Sequence, residues 1–432
     1  MGLSGETDPR RLTVLAVYPW PEFWSMGEGK GASPFFLSIT SYPRHGHALH
    51  VVMPGAGDRP PDEDYHGVAL HRFRTSVDFM PEAGRSKAVQ HARLLTSYLY
   101  WRLRALREAR RLADEIVPDA VVGMGALGAP IARSIGLERG IPNVTRLFGT
   151  SLGCVMGDPL RYALRYREIH AFRTPADALV VCDDGSGGNE IAEALGADMS
   201  RFVFLPDGID KDRFFEAPEP AEARERLGLP GDGRVVLSVS RFHREKNVAS
   251  LIRAVPGVLS EGRDVTFLLV GEGPEEERLR ELVRNLGISE HVVFTGALEW
   301  SGMPLVYAAA DVFVTLSERT NVLNPLHEAM ISGLPVVALN TGRTAEVVDG
   351  RTGILLERRD LNVLSGVLLD LLGDEERRRS LGEAARESAD SRLPTVEERQ
   401  RMEIEIVERA VDERRQTSGQ GGARVRGDRG TC

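Results

Sequence analysis

Short apolar runs of strand length alternate with segments of helical period along this chain, and the alternation begins twice, at Leu12 and again at Val235. Runs without polar interruption suit strands covered on both faces, the environment of a parallel sheet with helices on either side. Expected strands lie at 12–17, 48–53, 68–73, 120–122, 144–147, 178–181 and 202–205, and in the second half at 235–239, 266–270, 292–295, 312–316, 335–339 and 353–355. Between them, the stripe Val248, Leu251, Ile252, Val255, Val258 and Leu259 marks a sheet-covering helix. The pattern predicts an α/β architecture of two Rossmann-like, doubly wound parallel-sheet domains. Pro206-Asp207-Gly208-Ile209-Asp210 and the Pro- and Glu-rich loop after it mark the boundary. Residues 1–207 form the first domain and 208–388 the second. A charged helix, 389–415, is expected to pack back toward the first domain, and the Gly- and Arg-rich tail 416–432, without apolar anchors, to be disordered.

Charge and cysteine content narrow the class. A net charge of -9 gives no electrostatic case for nucleic acid. Three scattered cysteines, Cys154, Cys182 and Cys432, form neither a disulfide framework nor a zinc cluster, which fits a reducing compartment. The apolar run 12–17 is too short for a signal segment or a membrane span, so a cytoplasmic protein is expected. One stretch departs from the acidic average: residues 85–111 combine Arg93, Arg102, Arg104 and Arg107 with Tyr98, Tyr100 and Trp101. Such a segment either covers the sheet or makes peripheral contact with an anionic membrane at its inner face.

The second half carries an ordered set of motifs. Arg241 and Lys246 follow the first of its strands in Ser240-Arg241-Phe242-His243-Arg244-Glu245-Lys246-Asn247, and Val270-Gly271-Glu272-Gly273-Pro274 and Phe294-Thr295-Gly296 follow the next two. Pro325-Leu326-His327-Glu328 opens a helix, and Asp349-Gly350-Arg351-Thr352-Gly353 precedes the last strand. Two cations and one carboxylate are what a nucleoside diphosphate asks for: charge for phosphates, an acceptor for ribose hydroxyls. The set resembles the GT-B glycosyltransferases, specifically family 4, retaining enzymes that take sugar from a nucleotide donor, and the likeness covers nearly the whole chain. It implies two domains facing a cleft, the second holding an NDP-sugar (UDP-, GDP- or another) and the first a hydroxyl acceptor. It implies that Arg241 and Lys246 offset charge on the leaving diphosphate so that neither metal nor cofactor is required. Glu328 would hold the ribose, Asn321, Val322, Leu323 and Asn324 would present backbone toward phosphate, and the base would be read around Gly296 to Trp300, Glu299 included. The Gly29-Lys30-Gly31 loop stands where such enzymes carry paired glycines.

The sequence departs from the family at Thr320, where a sugar-contacting glutamate is usual. Either Thr320, Asn321 and Asn324 supply neutral hydrogen bonds, or Glu318 reaches in from a shifted loop. Arg343 replaces a glycine and either adds a phosphate contact or faces solvent. In the first domain, Gly149 and Thr150 after one strand, Asp183 and Asp184 after the next, and His170 are the candidates for touching sugar or acceptor. Gly123-x-Gly125-x-x-Gly128 has the spacing of a dinucleotide fingerprint but lacks its ribose-binding acid twenty residues on, and reads as a tight strand-to-helix turn. Asp62-Glu63-Asp64 resembles a manganese-binding acid pattern and reads better as an exposed loop. A nucleotide-sugar epimerase of the same architecture, or a non-catalytic homologue lacking the glutamate at Thr320, are the alternatives to a transferase.

Overall fold

The computed structural model describes residues 11–20, 34–55, 62–74, 87–262, 264–318, 324–341 and 343–426. The first domain holds strands β1 (Thr13–Val17), β2 (Ala48–Pro54), β3 (Asp62–Tyr65), β4 (Val68–Phe73), β5 (Ala120–Met124), β6 (Asn143–Leu147), β7 (Ala178–Asp183) and β8 (Phe202–Pro206). The second holds β9 (Arg234–Val239), β10 (Val265–Val270), β11 (Val292–Gly296), β12 (Val312–Thr315), β13 (Val336–Leu339) and β14 (Gly353–Leu356). Sheet orders are β3-β4-β2-β1-β5-β6-β7-β8 and β11-β10-β9-β12-β13-β14. Among the described residues all strand pairings are parallel except β3 with β4.

Both sheets are covered on two sides, as their unbroken apolar runs require. On β1, Val14 and Ala16 join one buried cluster and Leu15 and Val17 another; on β9, Val235 and Leu237 face one cluster and Val236 the other. Each set alternates along its strand because successive side chains point to opposite faces.

Three expectations need correction or extension. Asp62-Glu63-Asp64 is an edge strand rather than a loop: Asp62 pairs with His71 at 2.9 Å and Glu63 with Arg72 at 2.6 Å. The helix Glu375–Arg392 stays with the second sheet, burying Ala385 and Ala389, so the return to the first domain starts only after Arg392. The returning helix, Val396–Arg426, runs on as helix into the segment expected to be a disordered tail.

That helix belongs to the first domain by its packing. Ile404, Ile406, Val407, Ala410 and Val411 join the cluster of Val14, Ala16 and Val51. Arg414 reaches Asp177 at 2.8 Å and Arg415 reaches Asp119 at 2.6 Å, so the helix is pinned to the starts of two strands. Near its first turns, a buried polar group fastens it further. Arg399 donates to Glu403 at 2.8 Å, Arg146 of β6 lies 3.4 Å from the same carboxylate, and Ser38 of the helix Pro34–Arg44 donates to it. Burial pushes the Glu403 carboxyl up, but the two guanidiniums outweigh it and hold it low.

The chain thus crosses between domains twice, and the crossings lie side by side. Ile209 pairs in parallel with Thr395, its N–H donating to Pro394 O at 3.0 Å. Gly208 makes this approach possible, because a Cβ there would sit 2.8 Å from Arg399 Cβ and 2.8 Å from Thr395 O. Gly208→Ala is expected to force the crossings apart and to cost about 2 kcal/mol of stability. Urea unfolding of the two proteins measures it, and equal midpoints would mean the contact is not tight.

Candidate active site

In an open parallel sheet, ligands gather outside the carboxyl ends of strands where the winding direction reverses. In the second sheet the chain moves outward from β9 to β10 and β11, then returns to the other side of β9 for β12, β13 and β14. The reversal lies between β9 and β12. Arg241 and Lys246 follow β9, and the helix Asn324–Ile331, carrying Glu328, follows β12.

The Arg241 loop is clipped to its neighbour backbone to backbone. Ser240 N–H donates to Val270 O at 3.0 Å, Phe242 N–H to Glu272 O at 2.8 Å, and Glu275 N–H to Phe242 O at 3.0 Å. Gly271, at φ 135°, is needed there, since any Cβ would collide with Ser240 O. Lys246 closes the short turn Arg244–Lys246, which Asn247 ends in left-handed conformation at φ 54°. Burial and then the nearby Arg241 guanidinium lower the Lys246 pKa. Two cations held together in a partly desolvated loop make a receptor for an anion.

Glu328 stands in a different electrostatic setting. Tyr307, on the helix Met303–Ala308, donates to its Oε2 at 2.9 Å. Burial pushes the carboxyl up to about 7, against the lowering effects of that bond and of Arg213. Arg213 itself lies 3.7 Å over the Trp300 ring and donates to Trp300 O at 2.7 Å. Beside Glu328, burial pushes His327 down to about 4. Glu328, His327 and Trp300 line a cleft between the domains, with Ser38 on the first-domain side, Asp207 and Asp210 at the crossing, and Arg399 from the returning helix, whereas Arg241 and Lys246 lie outside its lining.

Asn324 lies in this cleft, four residues before Glu328. Gly296 ends β11 at φ 73°, with open space where a side chain would be, and its carbonyl accepts from Gly271 N–H at 2.9 Å. Glu299 precedes Trp300, so its segment borders the same cleft. Glu318 is engaged elsewhere, paired with Arg358 at 2.6 Å. Thr320, Asn321, Val322, Leu323 and Gly29 lie outside the described residues.

On the first-domain side, Gly149, Thr150 and Asp184 come together. Gly149, at φ 94°, presses its backbone against the Asp184 carboxylate where a side chain would collide with it. Thr150 N–H donates to Ser186 Oγ at 2.9 Å, and Ser186 N–H to Asp184 at 3.0 Å. Burial raises the Asp184 pKa. Glu168, which the sequence did not single out, accepts from Thr150 Oγ1, Ser151 N–H and Ser151 Oγ at 2.9, 2.8 and 2.6 Å, fixing this loop. Asp183 has a raised pKa from burial and then from the Glu346 carboxylate of the second domain. Arg343 links the domains, paired with Glu190 and, at 3.0 Å, with Glu346. His170 lies two residues past Glu168, on another side of the helix Tyr166–Arg173, exposed and near Arg102. Gly123 and Gly128 serve close packing, since a Cβ at Gly123 would lie 2.7 Å from Ala129, as a tight strand-to-helix turn requires.

Glu328 makes stability depend on pH. Its pKa rises on folding from an ordinary 4.5 to about 7, so the stabilisation it gives is complete below pH 4.5 and is lost as pH climbs through 7. Glu328→Gln is expected to be more stable than the parent by about 2 kcal/mol at pH 8, with the difference vanishing near pH 4.5. Thermal melts across that range decide it, and a gap independent of pH would contradict the buried carboxyl.

Comparison with known proteins follows the same lines. The family model described as glycosyl transferases group 1 matches residues 220–388, the segment that carries Arg241, Lys246 and Glu328. A Mycolicibacterium smegmatis GDP-mannose-dependent alpha-(1-6)-phosphatidylinositol monomannoside mannosyltransferase is 36% identical over 273 residues, 60% of this chain and 68% of that protein. The N-acetyl-alpha-D-glucosaminyl L-malate synthase of Bacillus anthracis is 32% identical over 264 residues, 61% of this chain and 66% of that protein. Among solved structures, sucrose-phosphate synthase from Thermosynechococcus elongatus superposes with a TM-score of 0.67 at 17% identity, covering 96% of this chain and 100% of that one. Anabaena HepE, in complex with UDP and glucose, gives 0.66 at 17% identity, covering 93% and 99%. The structural likeness speaks for the fold and the sequence likeness for the lineage: the chain belongs to the glycosyl transferases group 1 and has the two-domain GT-B fold.

Proposed function

We propose that the protein transfers a sugar from a nucleoside-diphosphate sugar to an acceptor hydroxyl, with retention of anomeric configuration and without a metal ion. The observation that carries this reading is the placement, on the two sides of one sheet reversal, of neighbouring cations after β9, with Lys246 partly desolvated, and a buried Glu328 carboxyl after β12. Arg241 and Lys246 take the diphosphate, Glu328 accepts from the ribose hydroxyls once ionised, and the Gly296–Trp300 segment borders the base. The Gly149–Thr150–Asp184 cluster faces the acceptor. In the reaction the bond from the anomeric carbon to the donor phosphate oxygen breaks, a bond to the acceptor oxygen forms on the same face, and the acceptor proton passes to the departing phosphate. Arg241 and Lys246 then act by stabilising charge that grows on that phosphate.

Relatives guide the choice of donor. The mycobacterial one is named for GDP-mannose and HepE was solved with UDP and glucose, so GDP-mannose and UDP-sugars are the donors to try first. A lipid-linked acceptor, a cytoplasmic setting and peripheral contact with the inner face of a membrane belong to the same reading. Among the described residues no helix is long and apolar enough to cross a membrane. Thr320 favours one second reading, a protein that binds the nucleotide sugar without transferring it.

Arg241→Ala and Lys246→Ala are each expected to lower kcat for transfer by about 10²- to 10³-fold, read from labelled donor converted to glycoside. A chelator is expected to leave the parent rate unchanged, and NMR of the product to show the donor's anomeric configuration. Full loss on chelation with rescue by manganese would overturn the metal-free scheme. Tight donor binding with no product from any acceptor would favour the non-transferring reading.

A further inference from the structure

The helix Lys87–Ile116 buries Tyr98, Trp101, Ala105 and Leu112 against the first sheet. Its exposed side carries ion pairs from Glu108 to Glu115 but is apolar over residues 95–103. Leu95, Leu99 and Leu103, spaced four apart and so aligned along one side, are 45, 50 and 70% exposed. A second apolar group adjoins it. Leu160, on the short helix Pro159–Ala163, and Leu164 just after it are 71 and 40% exposed, and Tyr166 packs edge-on against Tyr98 at 6.1 Å between ring centres. Single exposed leucines are ordinary; an aligned row with a second group beside it is an apolar face that wants a cover.

Charge says what kind of cover. The chain as a whole is acidic, at -9, yet residues 85–107 hold Arg85, Lys87, Arg93, Arg102, Arg104 and Arg107 and no acid. Residues 159–173 hold Arg161, Arg165, Arg167 and Arg173 against one acid, Glu168, which is turned inward to Thr150 and Ser151. Exposed leucines bordered by arginines suit a surface that is apolar below and anionic above. We propose that this face of the first domain docks on an anionic lipid bilayer, with the leucines at the acyl boundary and the arginines on headgroup phosphates. Glu168 lies two residues beyond Tyr166 and holds the Thr150–Ser151 loop, so a docked protein carries its acceptor-side cluster next to the bilayer. The docking rests on the peripheral membrane contact of the proposed function, to which it gives a face and residues, and vesicle binding tests it without any transfer reaction.

The full-length protein is to be sedimented with phosphatidylcholine vesicles with and without phosphatidylglycerol, over a series of salt concentrations. Binding is expected only with phosphatidylglycerol and is expected to weaken as salt rises. Arg102→Gln and Arg107→Gln should each weaken it by about five-fold. Leu103→Ser combined with Leu160→Ser should abolish it while the circular dichroism melt stays unchanged. Should that pair fail to fold, Leu103→Trp supplies an independent readout: its fluorescence should shift to the blue on anionic vesicles alone. Equal binding to both vesicle types at all salts, or no binding to either, overturns the proposal. So does a concentration-dependent dimer that the leucine substitutions dissolve, which would make a second copy of the chain the cover.

Discussion

A strand buried on both faces has only its ends to offer to a ligand. That constraint follows from the unbroken apolar character of β1 and β9, whose side chains divide between clusters on either side of each sheet. Everything polar that must meet a substrate is therefore pushed to loops at one edge, and the reversal between β9 and β12 decides which loops diverge enough to leave a crevice. The crossing at Gly208 then sets the other lobe opposite that edge.

The loops at this sheet edge hold charges in settings that disfavour them. Lys246 faces Arg241 with burial already against its charged form, and Glu328 is desolvated with a tyrosine hydroxyl as its close partner. Under the proposed donor binding both penalties would fall, because a diphosphate would supply negative charge to the first and ribose hydroxyls would supply donors to the second. Arg213 escapes this tension by stacking on Trp300, which keeps a guanidinium near Glu328 without neutralising it by direct contact.

Most of the fold was legible because burial on two sides leaves a simple signature, short runs of Val, Leu and Phe at regular intervals. β3 escaped notice because Asp62, Glu63 and Asp64 form an edge whose acids pair with His71 and Arg72 of β4 instead of filling a core. That Arg241, Lys246 and Glu328 follow β9 and β12 could be read because position after a strand is a local property. Glu168, Arg213 and Tyr307 could not be picked out, since their significance rests on contacts with residues seventeen or more positions away in the chain. Arg343 shows the same limit: the sequence left it between phosphate and solvent, and its partners are Glu346 and, in the other domain, Glu190.

The paired crossings have a mechanical consequence. A single connecting strand would act as a swivel and let the lobes sample many mutual orientations. Ile209 and Thr395 running abreast, with Gly208 seated against Arg399, behave instead like two leaves of a door hinge. They leave essentially one bending axis. Shutting the door then forfeits little orientational entropy, and more of the attraction between the lobes and whatever lies between them survives as net affinity.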